Sequence, residues 1–151
     1  MGKVHVECLP DETLVKKLGV TRKMVSHHAG KSRVFSKLGT TNGEIAMVDE
    51  DPGSIKTNYE KNLVLVDNSY GIKIYKDGRG NKILILNGKL EDWIIATCKT
   101  ANVNISLFGL PDRANELHSI INSRLPSFER LIEHLKNNNN PGIILLMNLL
   151  V

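Results

Sequence analysis

Two apolar runs end in acid. Lys3-Val4-His5-Val6 alternates and closes on Glu7, and Ile45-Ala46-Met47-Val48 closes on Asp49. Both read as buried strands, at 3–8 and 44–49, and the pattern between them predicts a helix over 11–19, a strand over 23–28 and a helix over 31–38. A loop or short helix at 54–61 and a strand at 62–67 follow. Strands alternating with helices imply a parallel sheet. The rhythm then changes: 71–76 and 82–86 flank a glycine-bearing turn at 77–81, a hairpin that would add an antiparallel edge. Beyond Gly88 the chain turns helical. Leu90, Trp93, Ile94, Thr97, Cys98 and Ala101 recur at helical spacing, as do Ala114, Leu117, Ile120 and Ile121, with Pro111 at a first turn. A third stripe, Phe128, Leu131, Ile132 and Leu135, ends at the asparagine run 137–140 and Pro141. The closing apolar run 143–151 is either a last element packed on the core or a subunit contact through which the chain forms a homo-oligomer.

Length turns this pattern into one α/β domain spanning 1–151, with a βα core at 1–67, an edge hairpin at 68–87 and a helical C-terminal part at 88–151. A hydrophobic share of 41% with 24% charged residues is that of an ordinary globular chain. No signal-peptide pattern opens the sequence, and the longest apolar stretch falls well short of the ~20 residues of a membrane span. Two cysteines, Cys8 and Cys98, are too few for a disulfide framework, so a cytoplasmic setting with reduced thiols is expected. The net charge of +4 matters less than its distribution. From Thr13 to Gly43 there is no acidic residue, while Lys16, Lys17, Arg22, Lys23, Lys31, Arg33 and Lys37 fall inside that stretch. Such a block is either a solvated basic surface or a site for phosphodiester backbone.

The acids decide between chemistries. Glu7, Asp49 and Asp51 fall at strand ends, where ligands bind in an open α/β sheet. Gathered there, they would repel one another unless a divalent cation neutralised them, and hard oxygen ligands suit Mg²⁺ or Mn²⁺. Lone acids after strands ordinarily cap helices, a role that suits Asp11 at the start of its helix. A D-x-D pair with a distant strand-terminal Glu goes beyond capping. Other motifs carry less. Gly30-Lys31-Ser32 lacks the upstream glycine of a phosphate loop, having Val25 there, though Lys31 remains a phosphate contact. His27 and His28, adjacent on a strand, face opposite sides. Cys8 and Cys98 are expected as small buried residues, and Tyr59, Tyr70 and Tyr75 as aromatic packing on the sheet.

Glu7-Cys8-Leu9-Pro10-Asp11 running into a helix resembles the first signature of the TOPRIM (topoisomerase–primase) superfamily, a strand-terminal E-x-x-x-D. Asp49-Glu50-Asp51 resembles its D-x-D. Leu90-Glu91-Asp92-Trp93-Ile94-Ile95 and Pro126-Ser127-Phe128 are similar to segments of small bacterial TOPRIM-like nucleases related to the overcoming-lysogenization-defect (OLD) family. Cys8 stands where many members have glycine, so a differently shaped turn is expected after the first strand. The resemblance implies a TOPRIM-like Rossmannoid fold and Mg²⁺- or Mn²⁺-dependent cleavage of nucleic acid, DNA before RNA. It gives Asp49 and Asp51 the ion, makes Glu7 an acid–base group or further ligand, and adds Asp11 as a second-metal group and Glu91 as another site residue. Lys31, Arg33, Lys37, Arg22 and Lys23 would bind nucleic acid. Relatives of this kind often work beside an ABC-type ATPase in phage defence or repair. Two other readings stay open: a non-catalytic TOPRIM-shaped binding subunit, and a small-molecule phosphohydrolase.

Overall fold

The computed structural model describes residues 2–53 and 55–151. Its strands are β1 (Val4–Val6), β2 (Val25–His27), β3 (Ile45–Asp49), β4 (Val64–Ser69), β5 (Ile72–Lys76) and β6 (Lys82–Leu86). The helices are α1 (Leu9–Lys17), α2 (Lys31–Leu38), α3 (Asn58–Lys61), α4 (Leu90–Thr100), α5 (Ala114–Ile120), α6 (Leu125–Asn137) and α7 (Pro141–Leu150). The strands form one sheet in the order β2-β1-β3-β6-β5-β4. β2, β1, β3 and β6 run parallel, and β5 and β4 complete an antiparallel edge. The fold is the α/β class that the alternation of elements predicts.

Alternation along the central strands divides the core between the two faces. Val4, Val6, Met47, Leu84 and Leu86 join the larger cluster, with Leu14 of α1, Trp93 and Ile94 of α4, Leu117 of α5, Phe128, Leu131 and Ile132 of α6, and Ile143 and Leu146 of α7. Ala46, Val48 and Ile83 face the other way, onto Val34, Phe35 and Leu38 of α2. β1 and β3 are thus covered on both sides, which explains the continuous apolar run of β3 and the burial of His5 in β1. The closing segment α7 packs on the core through Ile143, Leu146 and Leu150.

The chain leaves β1 through α1 to reach β2 on one side, then returns through α2 over the opposite face to reach β3 on the other side. The direction of winding reverses between β1 and β3. Their carboxyl ends therefore flank the crevice in which ligands of doubly wound sheets bind.

Three details differ from the sequence pattern. α1 starts at Leu9, two residues before the first predicted helical position, because Cys8 is extended and Pro10 fits a first turn where no N–H bond is required. Pro111 lies ahead of α5, outside its first turn. The expected antiparallel edge is present, and the hairpin also reaches inward. Its second strand, β6, pairs in parallel with β3 over five residues, and the outer edge is β4. A meander entering from the far edge and finishing beside β3 delivers α4 to the carboxyl end of the sheet.

The turn into α4 depends on Gly88, whose φ is +70° and whose missing Cβ leaves room for the Asp92 side chain; a Cβ there would lie 2.8 Å from Asp92 Oδ2 and 2.9 Å from its Cβ. Asp92 in turn accepts from Lys89 N at 2.9 Å, holding the first turn of α4. Gly88→Ala should therefore destabilise the protein by roughly 1–3 kcal/mol, combining left-handed strain with a displaced helix cap. Urea unfolding of the variant checks this, and an unchanged midpoint would show that the turn does not need its glycine.

Candidate metal centre

Glu7 follows β1, Asp49 ends β3, and Asp11 sits in the first turn of α1. Parallel pairing sets β1 beside β3, and the early helix start points Asp11 back toward the strand ends. One carboxylate oxygen from each lies within 4.8 Å of the others. Backbone bonds fix the two strand acids. Glu7 Oε1 accepts from Asp49 N at 2.9 Å, and Asp49 Oδ1 accepts from Leu90 N at 3.0 Å, so Asp49 also caps α4.

Asp11 is different. It is only 1% exposed, and neither carboxylate oxygen has an N–H or O–H donor; the weakly donating Cys8 thiol lies beside it. An ionised carboxylate in that position costs several kcal/mol unless something neutralises it. Burial, then the charge of Asp49, pushes its carboxyl well above the usual range. Asp49 is pushed up to about 7 by burial and then by Glu7 and Glu91, and Glu7 is raised chiefly by burial. Three oxygen donors whose charged forms are disfavoured first by burial and then by one another fit a hard divalent cation, with the buried Asp11 oxygens as its natural ligands.

Glu7 and Asp49 border a cleft of about 420 Å³ whose walls also include Asp51, Glu91, Lys31 and His118, with Asp11 buried behind them. Glu91, in the first turn of α4 and 4% exposed, has His118 Nδ1 2.7 Å from its Oε1. Lys31 opens α2 behind Gly30, whose φ of +106° turns the chain into the helix, and its charge favours the ionised form of Glu7.

Of the residues singled out from the sequence, Glu7, Asp11 and Asp49 come together, and Glu91 borders the same cleft. Asp51 does not join the close trio. β3 ends at Asp49, so the alternation that would put Asp51 on the same side has stopped, and Asp51 is an exposed residue of the cleft wall. The intervening Glu50 is a structural brace. Its N–H donates to Leu86 O and Gly88 O, and its side chain binds Lys73 Nζ at 2.8 Å and accepts from Gly88 N. Arg33 and Lys37 lie along α2, whereas Arg22 and Lys23 fall in the turn preceding β2, at the other end of that strand from the carboxylates. Burial and then Asp11 drive the Cys8 thiol upward, and burial drives Cys98 up to about 11, so neither is an activated nucleophile. Tyr59 and Tyr75 pack beside the α2 core, and Tyr70 is exposed. Sequence reading missed His118, whose only signal is a lone histidine on a helix 27 residues from its partner, and His5, taken as one residue of an alternating strand.

No family model, curated protein or solved structure matches the chain. Among the described residues no helix is long and apolar enough to cross a membrane.

The raised carboxyls give a pH dependence of known sign. A carboxyl whose folded pKa exceeds its unfolded value adds stability at acid pH, and that stability is lost as pH rises through the folded pKa. In EDTA, Asp49→Asn keeps the acceptor for Leu90 N but has no proton to lose. Its stability relative to wild type should rise by on the order of 4 kcal/mol between about pH 4 and pH 8, across the shift of Asp49 from its ordinary value of 3.8 to about 7. Paired thermal melts measure this, and a difference that stays flat with pH would mean Asp49 is not crowded. With Mg²⁺ in excess the order should reverse near neutral pH.

Proposed function

We propose that the chain is a Mg²⁺- or Mn²⁺-dependent phosphodiesterase acting on nucleic acid, a TOPRIM-like nuclease. The observation that carries this reading is Asp11: a buried carboxylate with two unpartnered oxygens, set against Glu7 and Asp49 at the switch point of the sheet. When bound, a divalent cation would polarise a phosphoryl oxygen and favour hydroxide over water at neutral pH. Glu7, Asp11 and Asp49 would hold it, and the rest of the cleft serves the substrate. Lys31, at the mouth of α2, offers a cation and adjoining helix amides to a phosphate oxygen. Glu91, held in place by His118, completes the acidic wall away from solvent. Asp51, on the rim, and Arg33 and Lys37, along α2, would meet flanking parts of a long substrate more readily than a small phosphate ester.

The reading includes a cytoplasmic setting, supported by two free cysteines. An ABC-type ATPase partner and a place in phage defence or repair belong to the TOPRIM-like nuclease reading. The chain has no phosphate-loop motif of its own.

Two measurements test the proposal. Fluorescent single-stranded DNA, duplex DNA and RNA incubated with Mn²⁺ should be cut by the wild type, and Asp49→Ala should abolish cutting while its melting curve stays cooperative. Calorimetric titration with Mn²⁺ should show Asp11→Asn binding about 10–100-fold more weakly. A folded Asp49→Ala protein that cuts at the wild-type rate would refute the site. Absence of cutting with intact Mn²⁺ binding would leave a metal-loaded binding subunit.

A further inference from the structure

On the face of the sheet that α2 packs against, the cover is incomplete. α2 buries Ala46 and Val48 of β3 and Ile83 of β6, but β5 and β4 lie further out and follow α3, a single turn. Tyr59 of α3 sets its ring 5.4 Å from that of Phe35 and donates from its hydroxyl to Asp77 at 2.7 Å. Asp77 follows the end of β5 that pairs with the start of β6, so α3 closes this face at the end of the sheet away from the carboxylates. Toward the carboxylate end, Tyr75, Ile85 and Leu63 stay only half-buried against the α2 core.

These three form the apolar side of a hollow of about 280 Å³. The register explains the grouping. Tyr75 pairs with Ile83 and Lys73 with Ile85, so Tyr75, Lys73 and Ile85 project from the same face of the sheet as Ile83. The polar rim combines Lys31, Lys56 and Lys73 with Glu50, Asp51 and Glu60. Glu50 holds Lys73 at 2.8 Å, which fixes that corner of the rim. Lys31, Glu50 and Asp51 are also walls of the carboxylate cleft, so the two cavities adjoin along a common partition. Lys31 stands in that partition, its Nζ 5.8 Å from the centre of the Phe35 ring, and its charge reaches both Glu7 in the cleft and Glu50.

A hollow of this kind suits a flat ring. Its volume is at the small end of ligand cavities, near ~300 Å³, with one aromatic and two aliphatic side chains on one side and charged donors and acceptors at the rim. A nucleobase has apolar faces and a polar edge. Every base presents a π face, so stacking on a tyrosine holds it without choosing among bases. A lipid chain or an apolar peptide segment would instead cover the rim lysines and carboxylates without partnering them. The partition decides what the ring carries: a phosphate held at Lys31 has the carboxylates on one side and the hollow on the other.

We propose that this hollow is a nucleoside subsite, in which the base next to the phosphate handled in the carboxylate cleft stacks on Tyr75 against Ile85 and Leu63. This rests on the reading of that cleft as a phosphodiesterase acting on nucleic acid. It adds the feature by which the protein tells a nucleotide from any other phosphate ester, a ring contact and not a charge.

The test is a cycle of two ligands and two proteins. Adenosine monophosphate, and the same sugar phosphate without its base, are each titrated calorimetrically in Mg²⁺ into wild type and Tyr75→Leu, a change that keeps apolar contact with the α2 core. Wild type should bind the nucleotide about tenfold more tightly than the sugar phosphate. Tyr75→Leu should lose about that factor for the nucleotide and bind the sugar phosphate as wild type does. Tyr75→Phe keeps the ring and should match wild type with both ligands. In ligand proton spectra the base protons should move upfield on binding to wild type and to Tyr75→Phe, as protons do over an aromatic ring, and should not move with Tyr75→Leu. A wild type that prefers neither ligand, whether it binds both or neither, overturns the subsite, as does a preference that survives in Tyr75→Leu. Either result stands even if Mn²⁺-dependent cutting is present and Asp49→Ala removes it. Ring-dependent binding of the nucleotide without any cutting supports the subsite and removes only the nuclease reading.

Discussion

Three carboxylates held closer than ionised groups would settle on their own is the constraint around which this molecule is organised. Glu7, Asp11 and Asp49 come from two strand ends and one helix start, so their spacing is set by the sheet and not by the acids themselves. The strain is carried by the backbone. Asp49 N donates to Glu7 and Leu90 N donates to Asp49, and these bonds tie β1 to β3 and β3 to α4 through the very groups that repel. Two core clusters on opposite faces of the sheet keep the strand ends from relaxing apart. Asp11 receives no such bond. Under the proposed reading, it is the group whose state would change most on cation binding, and the one whose conversion to a neutral amide would be felt most directly in metal affinity.

The antiparallel half of the sheet serves the same point from a distance. β4 and β5 contribute no residue to the carboxylate trio, yet the meander they form is what brings β6 alongside β3 and so places the start of α4 over Asp49. Glu50 fastens this arrangement. Its backbone bridges to Leu86 and Gly88, and its carboxylate holds Lys73 of β5. The bonds from Lys73 and Gly88 outweigh its slight burial and keep that carboxyl below the usual range, so it remains charged while its neighbour Asp49 is pushed the other way. Two adjacent acids thus have opposite fates, because one is bonded to a lysine near the surface and the other is buried, and then faces acids.

That contrast marks how far the sequence could be read. Apolar runs ending in Glu7 and Asp49 were legible because buried parallel strands leave an unmistakable pattern, and the switch point follows from the alternation of strands and helices. The partnership of Asp49 with Asp51 was not, because it presumes that β3 continues two residues past its end. Asp11 was legible as a helix-start acid, but its orphaned state depends on how Cys8 and Pro10 start α1, which no periodicity records. The placement of β6 was hidden for a different reason: a hairpin's internal pairing is local, while its docking on β3 joins residues 37 apart, as in Ile45 with Lys82. His5 shows the limit most clearly. A histidine inside an alternating run reads as one more strand residue until β1 is known to be covered on both faces. Then it must be buried and must find partners, and those lie 23 and 39 residues away.

The winding also gives the basic stretch its meaning. Because β1-α1-β2-α2-β3 passes over both faces and turns about the edge strand β2, the acid-free segment between Thr13 and Gly43 distributes its cations over both faces of the sheet. Contacts then sort its cations. Lys16 and Lys17 on α1 lie against Glu12 and Glu133, and Arg22 and Lys23 sit at the end of β2 away from the acids. On α2, Lys31 acts on Glu7 in the carboxylate cleft, while Arg33 and Lys37 have no carboxylate partner among the described residues and border a separate groove. A doubly wound sheet places its carboxylates at one end by topology. Here the same topology lays a cationic helix beside them, so the field that would draw in a phosphate backbone and the crowding that would draw in a divalent cation arise from a single pass of the chain around β2.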